Sequence, residues 1–386
     1  MNCKKIFDTI DNLVCEYVSI WEDICNIESP TNYKKGVDEV GQYFISLANK
    51  FGWNIEVFQH NVSGNVICIT MNKDAKNPPI AISAHIDTVH PLGSFGKPAV
   101  KISNGKIYGP GVMDCKGGAV AGVMAMHALK ECGFKDRPIK FLLQSDEENG
   151  SKTSKKATIN YICKKAEDCI AFLNLEGHEQ YFDGKACIER KGILKYEFKV
   201  CGKEVHASYC ATEGANAIAE ASHKIIEIEK IKDSNGITCN VGTIKGGSVS
   251  NTVAGECSFE VDIRFATDAQ KQWIENLMKE IAEKQFVKGC TTKLNKIGYR
   301  VAMEICDRNL SLLNKINVVF ENNGLTKLSA GKRNGGSDAA DVTAYGIPCI
   351  DSLGVKGERA HSTEEEADID SLTESAKRIS SVIYCL

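Results

Sequence analysis

The amino-acid sequence predicts an α/β protein with a mostly parallel, mixed sheet flanked by helices and a smaller α+β domain inserted into the chain. Four short apolar runs end abruptly in polar residues, and such runs are typical of strands buried on both faces of a parallel sheet. They lie at 79–84, 139–143, 169–173 and 347–350. A stretch with helical spacing of apolar residues lies between them at 117–130, and this alternation of strands with helices indicates a layered α/β architecture.

The middle of the chain predicts a second domain because its apolar and polar residues alternate with a period of two. This alternation covers 192–200 and 257–265 and is typical of antiparallel strands with one solvent-exposed face. Two stretches with helical spacing accompany the strands, around 218–225 and 273–281. Together they predict a βαββαβ, ferredoxin-like module. We therefore expect one domain in two parts, 1–190 and 301–386, and an inserted domain at 191–300.

The composition is that of an ordinary globular protein, with 386 residues of which 43% are hydrophobic and 25% charged. This excludes collagen-like, coiled-coil and largely disordered proteins. The 47 basic and 50 acidic residues give a net charge of −3, so we expect no nucleic-acid partner and no membrane partner. The first residues lack the pattern of a secretory signal, and no apolar stretch is long enough to span a membrane. We therefore expect a cytoplasmic protein.

Cysteine is the unusual feature of the composition, with 17 cysteines beside 8 histidines. No C-x-x-C pair occurs, which argues against zinc ribbons and thioredoxin-like redox chemistry. In a reducing compartment most cysteines are small, buried, apolar side chains. We expect these thiols to have no catalytic role.

Three predicted strands deliver a histidine and several carboxylates to one edge of the sheet. His85 and Asp87 follow the first strand, Glu147 and Glu148 the second, and Glu176 the third. Each motif alone has a simpler interpretation, as a histidine bonded for stability or as a solvated acidic turn. Because open α/β sheets bind ligands beyond the carboxyl ends of their strands, the convergence of these motifs predicts a site.

Asp114 lies in a glycine-rich loop, 109–118, that leads into the first predicted helix. Two glycines match part of a dinucleotide-binding motif, but Asp114 occupies the third glycine position and would repel a pyrophosphate. Its two oxygens could instead bridge two cations, or it could cap the helix. His361 is a further candidate ligand, and we interpret the glutamates at 364–366 as charges at a helix N-terminus.

Taken in order, these motifs resemble the co-catalytic di-zinc aminopeptidase/amidohydrolase family, which includes glutamate carboxypeptidase, aminoacylase, acetylornithine deacetylase and succinyl-diaminopimelate desuccinylase. The resemblance extends over about 75–375 and is closest to the glutamate carboxypeptidase branch. It implies that the inserted domain is a lid and dimerisation domain within the catalytic domain. The motifs that carry it are His85-x-Asp87, Gly-Val-Met-Asp114-Cys-Lys-Gly-Gly, Asp-Glu147-Glu148-x-Gly-Ser, Leu-x-Glu176 and His361-Ser.

The resemblance implies two zinc ions that share Asp114 as a bridging ligand, with cobalt or manganese as possible substitutes. Asp87 would hold His85, and Glu147 would be the general base acting on a metal-bridging water. Since the peptide after the bridging aspartate is cis in relatives, we predict a cis bond between Asp114 and Cys115. We interpret the Cys115 thiol as structural. The implied metal ligands are His85, Asp114, Glu148, Glu176 and His361.

The inserted domain would supply further residues. His206 resembles a family histidine that reaches a partner subunit's active site and stabilises the oxyanion, which implies a homodimer. Glu204, Val205 and Ser208 depart from the family pattern around it. Arg264 could bind a substrate carboxylate or could pair with acidic neighbours on its own strand. The implied substrate-binding residues are Asn251, Arg264, Arg300, Gly335 and Gly336.

The function that the resemblance implies is that of a zinc-dependent metallopeptidase or amidohydrolase. It would cleave an amide bond in a peptide or N-acyl amino acid and release a C-terminal amino acid with a free carboxylate. An N-acyl-amino-acid deacylase or a dipeptidase is the alternative of the same family. From other classes, a non-catalytic metal- or peptide-binding relative is disfavoured by the intact ligand set, and a nucleotide-dependent redox enzyme by Asp114.

Overall fold

The computed structural model describes residues 3–232 and 236–386. These residues form two compact units, each made of segments that are separated along the chain. The first comprises 3–188, 305–332 and 337–386, and the second comprises 189–304 and 333–336. Within the described ranges, no helix is both long and apolar enough to cross a membrane.

The chain up to residue 190 contains four α-helices, one 3-10 helix (Gln180–Phe182) and nine strands among its described residues. The helices are α1 (Cys3–Asn26), α2 (Lys34–Phe51), α3 (Lys116–Glu131) and α4 (Ala157–Ala166). The strands are β1 (Asn54–Phe58), β2 (Val66–Met71), β3 (Ile80–His85), β4 (Lys101–Ser103), β5 (Lys106–Tyr108), β6 (Ile139–Gln144), β7 (Ala171–Asn174), β8 (His178–Glu179) and β9 (Lys185–Arg190).

The elements of the second unit follow in the order βαββαβ. They are β10 (Gly192–Cys201), α5 (Ala217–Glu229), β11 (Thr238–Gly246), β12 (Glu256–Phe265), α6 (Asp268–Glu283) and β13 (Thr291–Arg300). The remainder of the chain contains α7 (Asp307–Asn322), β14 (Ser329–Arg333), α8 (Asp338–Ala344), β15 (Cys349–Ile350), β16 (Lys356–Glu358), β17 (Glu366–Asp368) and α9 (Asp370–Cys385).

The main sheet of the first unit is mixed and has the strand order β1-β2-β6-β3-β7-β15. Strands β6, β3, β7 and β15 are parallel, whereas β2 runs antiparallel to β6. His85 pairs with Gln144, and Ser83 pairs with Asn174. The carboxyl ends of β3, β6 and β7 therefore meet at one edge. The predicted mixed α/β sheet is confirmed, and its apolar runs are buried strands.

Helix α3 is buried along nearly its whole length, and small residues let it approach the sheet closely. A Cβ atom on Gly118 would lie only 1.9 Å from the carbonyl oxygen of Leu175, so a larger residue there would push the helix away from the end of β7. At the start of α3, the buried Lys116 donates from Nζ to the carbonyl of Ile27, 2.8 Å away, just beyond α1. These contacts fix the helix start, two residues after Asp114.

The second unit is an antiparallel sheet with the order β11-β12-β10-β13. One face carries the apolar residues of the alternating pattern, and helices α5 and α6 pack on that face. Phe198 and Phe259, paired across β10 and β12, stack with ring centroids 4.7 Å apart. The α+β module predicted from the alternation is therefore present, while its role as a lid stays a prediction.

Candidate metal centre

The five predicted metal ligands all lie in the first unit, at or beyond the ends of its elements. His85 ends β3, Glu176 follows β7, and Glu148 lies in the turn after β6. Asp114 precedes α3, and His361 lies between β16 and β17. The non-glycine residue His361 has a φ of 64°, a left-handed conformation that is uncommon for residues other than glycine.

Asp114 lies between the two histidines, with one carboxylate oxygen facing each. Its Oδ1 is 2.9 Å from Nε2 of His85, and its Oδ2 is 3.1 Å from Nε2 of His361. Glu148 Oε2 is 3.3 Å from Nε2 of His361, and Glu176 Oε2 is 3.8 Å from Nε2 of His85. The cluster thus has two halves, each with one histidine and one glutamate, and Asp114 belongs to both.

The electrostatics of this cluster fit a bound cation. Burial, together with the negative charge of Asp114, raises the pKa of both Glu148 and Glu176. Hydrogen bonds to Asp114 and Glu148 raise the pKa of His361. Several buried carboxylates held together without compensating charge are costly, and divalent metal ions supply that charge. Nitrogen and oxygen donors of this kind suit zinc.

Two overlapping groups of side chains could hold metal ions. Their ligand atoms lie within 4.8 Å of one another, in the sets His85, Asp114, Glu148 and His85, Cys115, Glu176. The buried Cys115 donates its thiol hydrogen to the carbonyl of Leu175, 3.0 Å away. The peptide bond between Asp114 and Cys115 is cis, as predicted.

Asp87 is fully buried and organises the strand ends around the cluster. His85 Nδ1 is 3.0 Å from the backbone carbonyl of Asp87 and 3.5 Å from its carboxylate. The carboxylate itself accepts the hydroxyl of Thr31 and the backbone N–H groups of Glu147 and Glu148. Asp87 therefore fixes the Glu147–Glu148 turn in addition to contacting His85. Thr31 belongs to no sequence motif, so its contact with Asp87 was not predicted.

The interpretation of the glutamates at 364–366 as helix N-terminal charges is wrong. Helix α9 begins later, at Asp370, and Glu366 opens strand β17. Glu365 is fully buried, and its carboxylate faces His90 and the glycine-rich loop. Neither Glu365 nor His90 was predicted to lie beside the site. The only available signal was the position of Glu365 four residues after His361.

Two predicted residues of the second unit, His206 and Asn251, lie next to each other. The backbone N–H of Ala207 donates to the carbonyl of Asn251 at 2.8 Å. His206 is exposed, and its Nδ1 is 2.8 Å from the hydroxyl of Ser208. The serine that replaces the family glycine thus orients the imidazole. The roles of His206 and Asn251 in catalysis and substrate binding stay predictions.

The remaining predicted substrate residues also lie in the second unit. Arg264 forms a two-bond ion pair with Asp262 on its own strand, at 2.6 and 3.1 Å, which is the alternative that the sequence left open. Arg300 packs against Gly336, where an added Cβ would lie 2.7 Å from Cδ of the arginine. The backbone carbonyls of Gly335 and Gly336 accept hydrogen bonds from Arg190. The structure therefore joins Arg300 to the glycine turn and joins Arg264 to Asp262.

Comparison with known proteins shows that residues 81–384 match the family model described as "Peptidase family M20/M25/M40". Carboxypeptidase G2 from Pseudomonas sp. strain RS-16 is 26% identical over 350 residues, which are 89% of this chain and 83% of that protein. Succinyl-diaminopimelate desuccinylase from Rickettsia akari is 24% identical over 375 residues, 92% of this chain and 96% of that protein.

Among solved structures, the aminopeptidase PepT from Bacillus cereus is similar with a TM-score of 0.77. The likeness covers 95% of this chain and 97% of that chain, at 22% sequence identity. At this identity, the likeness supports the fold alone.

Proposed function

The chain belongs to peptidase family M20/M25/M40, a family of metal-dependent hydrolases, and from this premise we propose that it is a di-zinc exopeptidase. It cleaves an amide bond and releases a C-terminal amino acid, in the manner of a glutamate carboxypeptidase. The curated relatives include a protein named carboxypeptidase, and the described residues contain the two-histidine, three-carboxylate cluster that such chemistry needs.

The observation that carries the proposal is the position of Asp114. One of its oxygens faces His85 and the other faces His361, at 2.9 and 3.1 Å. A carboxylate with a purely structural role needs only one such contact, whereas Asp114 has an imidazole at each of its two oxygens. Since each half of the cluster adds one glutamate, the arrangement supports two metal sites with His85, Asp114 and Glu176 in one and Asp114, Glu148 and His361 in the other.

Two zinc ions, when bound, would supply the positive charge that activates a water molecule and polarises the scissile carbonyl. The chain's own contribution is proton transfer and orientation. The Glu147 carboxylate takes a proton from the attacking water and returns it to the nitrogen of the departing amine. Asp87 supports this role because its carboxylate accepts the backbone N–H of Glu147 at 3.1 Å. This hydrogen bond fixes the backbone position from which the Glu147 side chain extends.

The proposal also assigns roles to residues of the second unit. Arg300 with the Gly335–Gly336 turn binds the substrate's free carboxylate, Asn251 contacts the substrate, and His206 stabilises the oxyanion. We also infer a homodimer formed through the second unit, with His206 serving a partner subunit. All 17 cysteines are free thiols, which supports a reducing, cytoplasmic location.

A deacylase or dipeptidase of the same family is the second candidate, and one relative is named as a desuccinylase. The pairing of Arg264 with Asp262 removes one of the two arginines expected to recognise a terminal carboxylate. Recognition of the acyl group of the substrate is therefore an alternative source of substrate specificity.

The test combines metal analysis of the purified protein with a hydrolysis screen of dipeptides and N-acyl amino acids. We expect two zinc ions per chain and release of a free amino acid. Amide-blocked analogues of the active substrates serve as matched controls and should not be cleaved. Purified protein without bound metal would contradict the di-zinc site. Equal activity on the blocked analogues would contradict the requirement for a free carboxylate.

A further inference from the structure

Glu365 is a buried carboxylate that binds the loop carrying Asp114. Its side chain is only 1% exposed. Its Oε1 accepts the backbone N–H groups of Met113 and Asp114, at 2.9 and 3.0 Å, and its Oε2 accepts the N–H of Gly111 at 3.1 Å. The Glu365 backbone carbonyl also accepts the N–H of Gly109 at 3.2 Å. Four backbone donors of one loop thus converge on one residue.

His90 completes the environment of this carboxylate. Its Nε2 lies 2.8 Å from Oε2 of Glu365, and its ring packs edge-on against Phe95 with centroids 4.9 Å apart. His90 is itself buried. A buried carboxylate is stable only when its oxygens are hydrogen-bonded, and hydrogen bonds to a charged oxygen are stronger than those to a neutral one. The Glu365 carboxylate therefore holds the loop firmly.

The loop has no regular secondary structure of its own, and helix α1 contacts it through one hydrogen bond, from the Trp21 indole N–H to the carbonyl of Val112 at 3.1 Å. Between the end of β5 and the start of α3 the chain includes two glycines with positive φ, Gly109 at 156° and Gly111 at 73°. The backbone N–H groups of Met113 and Asp114 themselves donate to Glu365, so this carboxylate acts directly on the peptide groups that orient Asp114. Asp114 must present two oxygens to two different histidines, so a small rotation of its backbone would misplace both.

The same segment also carries His361, four residues before Glu365. We propose that Glu365, oriented by His90, is a positioning residue that sets the bridging geometry of Asp114 and couples it to the placement of His361. The inference rests on the proposed role of Asp114 as a bridging metal ligand. It assigns to Glu365 no contact with substrate or metal.

The test is zinc titration of the metal-free full-length chain by calorimetry, for wild type and Glu365→Gln. The amide of glutamine has one acceptor oxygen, so its NH₂ group must face a loop N–H or the imidazole of His90. We expect zinc affinity to fall about 10- to 100-fold, as is typical when a residue behind a metal ligand is changed. Glu364→Gln is the matched control, because Glu364 is exposed and pairs with Arg359, and it should bind zinc like wild type.

A second readout separates positioning from a merely structural role. In the cobalt-substituted protein, the visible absorption bands should change in E365Q and stay unchanged in E364Q, since they report ligand geometry. With substrate, kcat should fall while KM changes little. Wild-type zinc affinity and unchanged cobalt bands in a folded E365Q protein would overturn the inference.

The outcomes also distinguish this inference from the proposed function. Wild-type protein that binds no zinc would contradict the proposed function. Wild-type protein that binds two zinc ions, with E365Q of equal affinity, would overturn the inference alone. If E365Q does not fold, the His90→Phe variant tests the proposal in its place. It keeps the three hydrogen bonds from the loop to the Glu365 carboxylate and removes the imidazole that orients this carboxylate. We expect weaker zinc binding in H90F, and wild-type affinity there would overturn the proposal.

Discussion

The carboxylate of Asp87 accepts the backbone N–H of Glu147 at 3.1 Å, which ties the end of β3 to the turn after β6. The other oxygen of Asp87 accepts the N–H of Glu148 at 3.2 Å and the hydroxyl of Thr31 at 2.7 Å. One buried side chain thus fixes the backbone of both Glu147 and Glu148. We assign the first of these residues to catalysis and the second to metal binding. Loss of this charge should disturb both functions together.

We expect Asp87→Asn to lower activity by about 10- to 100-fold. The asparagine side chain would direct an NH₂ group toward a backbone N–H or toward Thr31, so at least one buried hydrogen bond would be lost. The measurement is kcat and zinc content of the variant beside Asp74→Asn, which changes an exposed aspartate. Full activity of the Asp87 variant would show that the turn needs no such support.

Glu147→Gln should retain both metal ions while kcat falls by about 10²- to 10⁴-fold, the usual contribution of a general base. The amide cannot accept a proton, yet it keeps the size of the side chain and the backbone bond to Asp87. Metal analysis and steady-state kinetics check this, with Glu364→Gln as a control. A variant that stays fully active would remove Glu147 as the base.

His85→Ala and His361→Ala should each lose metal, because each removes the single imidazole of one half of the cluster. We expect no more than one tightly bound zinc ion per chain in either variant, by metal analysis after dialysis. The controls are alanine variants of His60 and His223, which lie outside the cluster. Retention of two zinc ions by either ligand variant would make that ligand assignment wrong.

Lys224→Met should destabilise the second unit. Lys224 is fully buried, donates from Nζ to the carbonyls of Ile281 and Ala282 at 2.6 and 3.1 Å, and pairs with Glu220 at 3.1 Å. Its loss leaves a buried carboxylate without its cation, so we expect the free energy of unfolding to fall by about 3–5 kcal/mol.

Chemical denaturation measures this loss, and Lys279→Met on the exposed face of α6 is the matched control. The double variant Glu220→Gln/Lys224→Met should recover part of the stability, because it removes both charges. Equal stability of the single variant and wild type would show that the ion pair contributes nothing to the unit.

The thiol of Cys385 should react with alkylating reagents at unusually low pH. The hydrogen bond between the Cys3 and Cys385 thiols, with Sγ atoms 3.7 Å apart, and one from the Asn323 amide lower the pKa of Cys385 to about 7. Since the thiolate is the nucleophile, its alkylation rate should rise with pH and reach half its maximum near that value. For an ordinary cysteine, the alkylation rate reaches half its maximum near pH 8.5.

Peptide mass spectrometry after timed alkylation gives the rate at each pH. In Cys3→Ala the pKa of Cys385 should return toward the ordinary value, so the rate near pH 7 should fall. The exposed Cys15 monitors the reagent in the same samples. A pH profile unchanged by Cys3→Ala would mean that the neighbouring thiol has no influence on Cys385.

Local patterns in the sequence were sufficient to predict the strands and their polar ends. A buried strand must be apolar along its length, and the first polar residues after it mark the sheet edge, so His85, Glu148 and Glu176 could be placed there. The residues alone offered Asp114 and His361 as candidates, and the resemblance to a family assigned both as metal ligands. Neither route could find Glu365 and His90, because their contacts join positions far apart in the sequence and leave no periodic signal.

The sequence by itself determined the fold class, the two kinds of sheet and the residue types able to hold metal, since burial and periodicity act on neighbouring residues. Only the tertiary structure decided how these residues are oriented. It set the two oxygens of Asp114 against different histidines, paired Arg264 with Asp262 and turned Glu365 inward. The physical reason is that hydrogen bonds and ion pairs depend on distances of about 3 Å, which packing of distant segments determines.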